Sequence, residues 1–359
     1  MPKRFTTFLF LLCATCALHA ANYLTFTAEA DSSAFGIKTE RINYPDDSVR
    51  KSDIPDVRYS LNGGKTWKKL PNNTFIPLKR KGDKALLKGK NPKGISKEYR
   101  IYSKFIMKGS IAASGSVMSL IDGKGVTTEI PSDCCFNQLF SYCKSLTKAP
   151  ELPALRTTKG CYACMFSRCT NLTQAPQLPA TQLADGCYGL MFDGCTSLTQ
   201  APQLPATTLD TACYSYMFYE CTSLKQAPQL PATTLAKECY EGMFAGCTSL
   251  TQAPQLPATT LKRGCYLGMF AGCTSLTQAP QLPATTLARD CYTNMFKGCS
   301  NLAEINVGFI EWKWSRNGSS STHNWLSGVA PNGTFICPKE LPKESGENRI
   351  PEGWKVIEN

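Results

Sequence analysis

A 26-residue period of apolar and polar positions dominates the second half of the chain. The clearest copies read CYxxMFxGCTSLTQAPQLPATTLxxx, and seven copies lie in register between about residues 135 and 302. The first copy, CFNQLFSYCKSLTKAPELPAL, departs most from this pattern, as a terminal repeat with a different neighbour often does. A period of this length predicts a repeat architecture. Two cysteine columns mark the copies: Cys135, Cys161, Cys187, Cys213, Cys239, Cys265 and Cys291, and Cys143, Cys169, Cys195, Cys221, Cys247, Cys273 and Cys299.

Each copy is predicted to contain one short helix and one short strand. In the copy that begins at Cys239, apolar residues follow at offsets of 1, 4, 5 and 8, which is typical of one face of about two helical turns. The Ala-Pro-Gln-Leu-Pro segment is predicted to be extended, because proline disfavours helix in the preceding residue and cannot donate a ladder hydrogen bond. We expect a strand of two to four residues per copy. Stacking in a leucine-rich-repeat-like solenoid should then bury Met243, Phe244, Cys247 and Leu250.

The repeat unit resembles a known family. MFxGCTSL followed by an extended Leu-Pro segment is similar to the BspA-like leucine-rich repeat proteins of bacterial surfaces, including the class with a 26-residue surface-protein repeat. The usual unit of that family reads roughly IGxxAFxxCxxLxxIxIP, so Cys239 replaces its isoleucine and Cys247 its cysteine. An Ala-Pro stands where the family has another isoleucine. The resemblance covers about half of the chain. It implies a cell-surface protein that adheres to host extracellular matrix proteins or to other cells. The function predicted for this chain is therefore a non-catalytic, cell-surface or secreted adhesion protein that binds matrix proteins, glycans or other cells.

The sequence predicts an α+β fold class and divides the chain into four parts. A basic start and an apolar run up to Leu18 predict a signal peptide over residues 1–20, and hence export to the cell surface or the extracellular space. Strand-like alternation predicts an antiparallel β-sandwich over 22–128. The solenoid occupies 129–302, and 303–359 is a C-terminal capping segment that contains a last, altered coil. No later run is apolar and long enough to predict a transmembrane helix.

A turn motif stands out in the predicted sandwich. The run Ser60-Leu61-Asn62-Gly63-Gly64-Lys65-Thr66-Trp67 signals a hairpin and resembles the Asp-box SxDxGxTW, with Asn62 in place of the aspartate. In the β-proteins that carry it, this motif is a structural turn away from the active site. A glycosidase is disfavoured, because one copy is present where propellers carry several.

Excess positive charge is confined to the part of the chain before the repeats. Residues 22–128 hold 20 Lys and Arg against 10 Asp and Glu, whereas the residues after 128 hold 17 of each sign. A basic cluster there could attract acidic polysaccharide, nucleic acid or lipopolysaccharide, or could simply be a solvated loop. Export and the lack of an aromatic-rich binding motif argue against nucleic acid. The cluster consists of Lys79, Arg80, Lys81, Lys84, Lys88, Lys90 and Lys93.

The cysteine columns allow two interpretations. An exported chain with this cysteine density is ordinarily a disulfide framework. Within a helix, however, the two cysteines of a copy would lie about 12 Å apart, too far for a disulfide. We favour two ladders of buried thiols, with disulfides as the alternative if the segment is not helical throughout. A zinc site is disfavoured, because Cys161 and Cys164 form the sole Cys-x-x-Cys and no second pair follows.

The sequence predicts no catalytic centre and no cofactor or metal. His19 and His323 are the two histidines, so mechanisms that need several are disfavoured, and His323 is interpreted as a surface or cap residue. Paired carboxylates stay open as a catalytic possibility. Two alternatives to adhesion are a carbohydrate-binding or carbohydrate-active protein that acts through the sandwich, and a structural spacer. The oligomeric state is not predicted.

The Thr-Gln-Ala-Pro-Gln segment is the candidate ligand surface. It hardly changes among copies, which differ chiefly in the three residues before the first cysteine. A uniform face suits a repetitive ligand that is held by many weak contacts. The candidate residues are Thr199, Gln200, Gln203, Thr251, Gln252, Gln255, Thr277, Gln278 and Gln281.

Overall fold

The computed structural model describes residues 21–42, 49–314 and 320–359, so the predicted signal peptide lies outside the described residues. The fold is mostly β, with few helices and with sheets that are not closed within these ranges. The helical elements are a 3-10 turn at Lys51–Asp53 and the helix α1 at Ser119–Asp122. The strands are β1 (Leu24–Ala28), β2 (Ser33–Arg41), β3 (Val57–Ser60), β4 (Lys68–Lys69), β5 (Ile76–Leu78), β6 (Lys84–Gly89), β7 (Ile101–Lys108), β8 (Ile111–Ser114), β9 (Leu146–Lys148), β10 (Glu304–Asn306), β11 (Thr334–Cys337) and β12 (Lys355–Glu358).

Two sheets form the part before the repeats. One has the order β4-β3-β6-β1-β8-β9 and the other the order β5-β2-β7, and all neighbours are antiparallel except β8 and β9. The ring of Phe26 on β1 lies 5.4 Å from Phe35 on β2 and 4.9 Å from Phe105 on β7, measured between centroids. The two sheets therefore contact each other through buried aromatic rings.

The first repeat copy is joined to these sheets. Its strand β9 pairs with β8, and Phe140 lies 5.1 Å from Phe105 between ring centroids. The thiol of Cys143 donates a hydrogen bond to the carbonyl oxygen of Phe105 at 3.1 Å. These contacts explain why the first copy departs from the common repeat sequence, because its neighbour on one side is not another copy.

The helix predicted in each copy is wrong, and with it the α+β class. The segments from first to second cysteine are consecutive turns. The N–H of Cys247 bonds to the carbonyl of Phe244 within its copy at 3.0 Å, whereas the N–H of Phe244 crosses to Met269 of the next copy at 2.9 Å. Alternate N–H groups thus bond within a copy and between copies, and we call this arrangement the turn ladder. In an α-helix, by contrast, each N–H after the first four would bond to the carbonyl four residues before it, within the same copy.

Every fourth residue of the turn ladder has a positive φ, as at Glu238 (56°), Gly242 (57°) and Gly246 (76°). A left-handed residue at this interval prevents a continuous helix, since helical residues need negative φ. Glycine fits such positions without strain. Several copies nevertheless have larger residues there: Tyr142, Cys164, Arg168, Leu190, Tyr216, Glu220 and Asn294.

The predicted core residues are confirmed. Met243, Phe244, Cys247 and Leu250 are fully buried, as are their equivalents in the other full copies. The rings of Phe218, Phe244 and Phe270 stack face to face, 5.7 Å apart between centroids at each step. A parallel column of tyrosines runs from Tyr162 to Tyr292 with similar spacing. The copies therefore share one continuous stacked core.

The predicted strand length is wrong for the central copies. They contribute single-residue parallel bridges, such as Gln200 to Gln226 and Gln226 to Gln252. The chain reaches a proline, such as Pro254, two residues after the bridge, and proline has no N–H with which to extend the ladder. Three-residue strands occur in the first copy, at β9, and after the last copy, at β10.

The segment after the last copy continues the turn ladder. The N–H of Phe296 bonds to the carbonyl of Trp325 at 2.9 Å, and the indole of Trp325 stacks on Tyr292 at 6.3 Å. Strands β10, β11 and β12 pair in parallel beside it. These contacts stack the C-terminal segment on the last copy.

Candidate functional site

The repeated pattern of the copies places a polar strip on the surface. In the extended segment that follows Leu250, burial alternates: Pro254, Leu256 and Ala258 are buried, whereas Gln255 and Pro257 are exposed. Thr251 and Gln252 are also exposed just before this alternation begins. We call the exposed Thr, Gln and Gln positions of successive copies the Thr-Gln face.

All nine sequence-predicted ligand residues are exposed and lie on this face. The glutamine bridges hold neighbouring copies in register. In the shared core, the stacked rings of successive copies repeat at 5.5–5.9 Å between centroids. A groove of about 560 Å³ runs between two copies, and its polar lining is formed by Thr251, Gln252, Gln255, Thr277, Gln278 and Gln281. The fourth copy interrupts the strip, because Lys225 replaces its threonine.

A second polar ladder was missed by the sequence reasoning. The Thr-Thr pair near the end of the repeat unit is exposed in four successive copies, and a parallel bridge joins Thr208 to Thr234. The signal was present in the sequence as the ATTL run shared by these four copies. The pairs are Thr207-Thr208, Thr233-Thr234, Thr259-Thr260 and Thr285-Thr286.

The copies differ within the turn ladder as well as in the three residues before the first cysteine. Arg168 forms ion pairs with Asp193 (3.2 Å) and Glu220 (2.7 Å), so one side chain links three successive copies. The hydroxyl of Ser167 also donates to Asp193 at 2.9 Å. Burial raises the pKa of Asp193, against the opposing effects of Ser167 and Arg168. Both carboxylates are thus engaged by one guanidinium, which suits a cross-link between copies.

The thiols of the two cysteine columns are buried. All 17 cysteines among the described residues are free, as the thiol-ladder interpretation predicts. In the second column the thiol of Cys247 donates to the carbonyl of Phe218 in the preceding copy at 3.1 Å, and its equivalents do the same. Burial raises the pKa of Cys247 to about 12, so the thiolate needed for nucleophilic or metal-binding chemistry is disfavoured at neutral pH.

No metal centre is formed by the residues that the structure describes, since no three His, Cys, Asp or Glu side chains converge. Cys161 is fully buried, and Cys164 lies on the turn ladder with a φ of 54°. Among the described residues, these two cysteines belong to no group of three or more side chains that could hold a metal ion. His323 is exposed, at hydrogen-bond distance (3.2 Å) from the amide of Asn324. Within the described ranges, no helix has the length and apolar character needed to cross a bilayer.

The sequence-predicted basic cluster does not form one patch. Lys79, Arg80 and Lys81 lie in the turn before β6, and Lys84 begins that strand. Lys88 lies near its other end, with Lys90 and Lys93 beyond it. A six-residue strand is roughly 20 Å long, so the cluster separates into two groups. The Asp-box-like turn is structural, as predicted: Asn62 accepts a hydrogen bond from the N–H of Thr66 at 3.0 Å.

The repeats match a family model described as BspA type leucine rich repeat region, in six copies, over residues 128–261 and 189–311. Together these ranges cover just over half of the chain. The chain belongs to the BspA-type leucine-rich repeat family. Proteins with BspA-type repeats are typically surface proteins without enzymatic activity. No curated protein and no solved structure matches the chain.

Proposed function

We propose that the protein is an exported, non-catalytic adhesion protein that binds a repetitive ligand, a host matrix protein or a glycan, through its Thr-Gln face. We further propose the architecture of an N-terminal antiparallel sandwich, a seven-copy solenoid and a C-terminal cap. The observation that carries the function is the exposure, in register, of the same two amides in five successive copies, with a threonine hydroxyl beside them in four of the five.

A repeated ligand suits this face for a physical reason. One glutamine or threonine contact contributes little, because it replaces a hydrogen bond to water. Several such contacts at a fixed spacing act together, since each binding event raises the effective concentration for the next. A unique protein epitope would need a unique set of side chains, which the Thr-Gln face does not offer.

The first test replaces glutamine side chains of the Thr-Gln face. In the full chain, Gln252, Gln255, Gln278 and Gln281 are all replaced by alanine, and binding to fibrillar collagen and to a glycan array is measured. The matched control replaces four exposed hydroxyls of the same two copies: Thr259, Thr260, Thr285 and Thr286. We expect the amide variant to lose binding and the hydroxyl variant to keep it. The reverse result would assign recognition to the Thr-Thr ladder.

The second test changes the number of copies. Removal of 26 residues (239–264), or of 52 (239–290), keeps both ends of the repeat array and the register. Affinity should fall progressively with each deletion. A control gives the variable triplets one common sequence, which should matter little; the triplets are 184–186, 210–212, 236–238, 262–264 and 288–290. Loss of binding in the control with no loss in the deletions would contradict the multivalent face.

A structural spacer is the competing function. It predicts that the full chain binds none of the collagens or glycans tested, whatever the state of the Thr-Gln face. The deletions would then shorten the array without changing any affinity.

A further inference from the structure

We propose that the exposed side of the sheet β4-β3-β6 carries a second, independent binding site, a cationic cleft for an acidic polysaccharide. This site is separate from the Thr-Gln face. It uses Arg58, Lys88, Lys90 and Lys124, of which Arg58 and Lys124 lie outside the sequence-predicted basic cluster.

Register places like charges side by side on this sheet. Arg58 on β3 lies directly opposite Lys69 on β4 and, on its other side, directly opposite Lys88 on β6. Like charges in such cross-strand pairs are destabilising. A row of three cations is therefore an arrangement that folding alone does not favour, and a bound anion would relieve the repulsion.

The row opens into a cleft of about 310 Å³, a volume in the range of small-ligand sites. Four basic and two acidic residues line it: Arg58, Lys88, Lys90, Lys124, Asp56 and Asp122. Asp56 partly neutralises Arg58, at 3.4 Å and with both side chains substantially exposed. Asp122 does not pair with a cation, because its carboxylate accepts the backbone N–H groups of residues 124–127 at 2.6–2.9 Å. The cleft thus keeps a net positive charge.

The walls of the cleft are fixed by buried hydrogen bonds. The side chain of Asn91 donates to the carbonyls of Asp56 (2.9 Å) and Leu120 (2.7 Å), and accepts from the N–H of Asp56 at 2.8 Å. Although burial opposes it, the set of backbone N–H donors lowers the pKa of Asp122, so the loop that carries Lys124 is held at neutral pH. Fixed walls reduce the entropy lost when a ligand binds.

Aromatic rings beside the cleft favour a sugar chain as the ligand. The Asp-box-like turn places Trp67 next to Tyr23, with their ring centroids 5.1 Å apart. The ammonium of Lys88 lies 4.0 Å from the centroid of Trp67. That contact occupies a ring face which a nucleic-acid base would need for stacking. Carboxylate or sulfate groups on a sugar can reach the cations while the sugar ring contacts the aromatic edges.

The test uses the full chain and three probes: heparin oligosaccharides (sulfated), polygalacturonate oligosaccharides (carboxylated) and a poly(dT) oligonucleotide, with dextran as the uncharged reference. Binding is measured by calorimetry at low and at physiological salt. The cleft variant is R58Q/K88Q/K124Q. The matched control, K79Q/K81Q/K84Q, removes the same charge from the other end of β6. Thermal unfolding checks the fold of both, and the single variant K124Q changes an exposed loop residue and leaves the strands intact.

We expect the acidic oligosaccharides to bind and dextran not to bind. The cleft variant should weaken binding by at least about tenfold, the effect of losing one charge-assisted contact, and K124Q should weaken it in the same direction. The control should stay within about threefold, as for a distant charge that is screened by salt. An equal loss in cleft variant and control, tighter binding of poly(dT), or no binding of any acidic oligosaccharide would overturn the proposal. These outcomes leave the Thr-Gln face untouched, so the two proposals fail separately.

Discussion

At the scale of single residues, the phenylalanine column gives the most direct test of the stacked core. Phe244 is fully buried between the rings of Phe218 and Phe270. Phe244→Ala should lower the free energy of unfolding by about 3–5 kcal/mol, because the cavity is shared with both neighbours. Urea unfolding followed by circular dichroism measures the change. Thr248→Ala, at an exposed position of the same copy, should stay within about 0.5 kcal/mol. Equal effects of the two changes would be incompatible with the stack.

The buried thiols predict a loss of stability in alkali. Burial raises the pKa of Cys247 to about 12, whereas a cysteine in an unfolded chain has a pKa of about 8.5. Below about pH 8.5 both states keep the proton and stability is complete. Above it the unfolded chain releases protons that the folded chain retains, so the free energy of unfolding falls until the folded thiol also ionises near pH 12.

A single thiol can be isolated by comparison with Cys247→Ala. Between pH 7 and pH 10 the wild type should lose about 2 kcal/mol more than this variant, the contribution of one thiol with these two pKa values. Urea titrations with a non-thiol reductant at both pH values measure the difference. Parallel pH dependences of the two proteins would show that the thiol of Cys247 is not buried in solution.

Residue patterns predicted burial well and conformation poorly. Met243, Phe244, Cys247 and Leu250 were predicted correctly, because a repeated apolar position must face its neighbours. The turn ladder was mistaken for a helix, since apolar offsets of 4 and 8 fit both a period of 3.6 and a turn every four residues. The glycines at that same interval, Gly242 and Gly246, were the signal against a helix.

At the scale of the element, side chains of one copy determine which residues the next copy tolerates. A Cβ atom on Gly242 would lie 2.3 Å from the ring of Tyr216 in the preceding copy, whereas one on Gly268 would meet nothing within 4 Å. The two glycines have nearly the same φ, 57° and 61°. Comparing alanine substitutions at these two glycines therefore separates the effect of a side-chain contact from the effect of backbone strain.

Gly242→Ala should be more destabilising than Gly268→Ala by about 1–3 kcal/mol, the usual effect of overpacking, while both share the strain of a positive φ. Thermal unfolding of the two variants measures this. When Tyr216 is also replaced by glycine, the extra destabilisation caused by Gly242→Ala should disappear. If the excess persisted without the tyrosine ring, the contact would not be its cause.

At the same scale, the cationic cleft could not be predicted, because its residues come from separate strands and loops. Arg58, Lys69 and Lys88 belong to three strands and become neighbours through register alone. The linear cluster of lysines is, by contrast, extended along β6 and beyond. Polar positions of the repeats were predictable, because their period fixes their alignment.

At the scale of the whole molecule, the oxidation state distinguishes the two interpretations of the cysteines. If the ladders persist after export, the denatured protein purified without reductant should titrate with at least about ten free thiols, because buried thiols are shielded from oxidants. A thiol-reactive dye in guanidinium chloride measures the number. Three or fewer would establish disulfides within the copies.

The turn ladder has a direction, and this matters while the chain is being made. The N–H groups of Phe244 and Gly246 bond to carbonyls 25 residues further along, at Met269 and Ala271. A copy that has just left the ribosome therefore presents a row of unpaired donors, which are satisfied when the following copy emerges. Each copy is thus completed by its successor, from the N-terminal sheets, where β8 and β9 pair, to the coil that contains Trp325. A chain that ended after any copy would therefore expose that row of donors to water at its open edge.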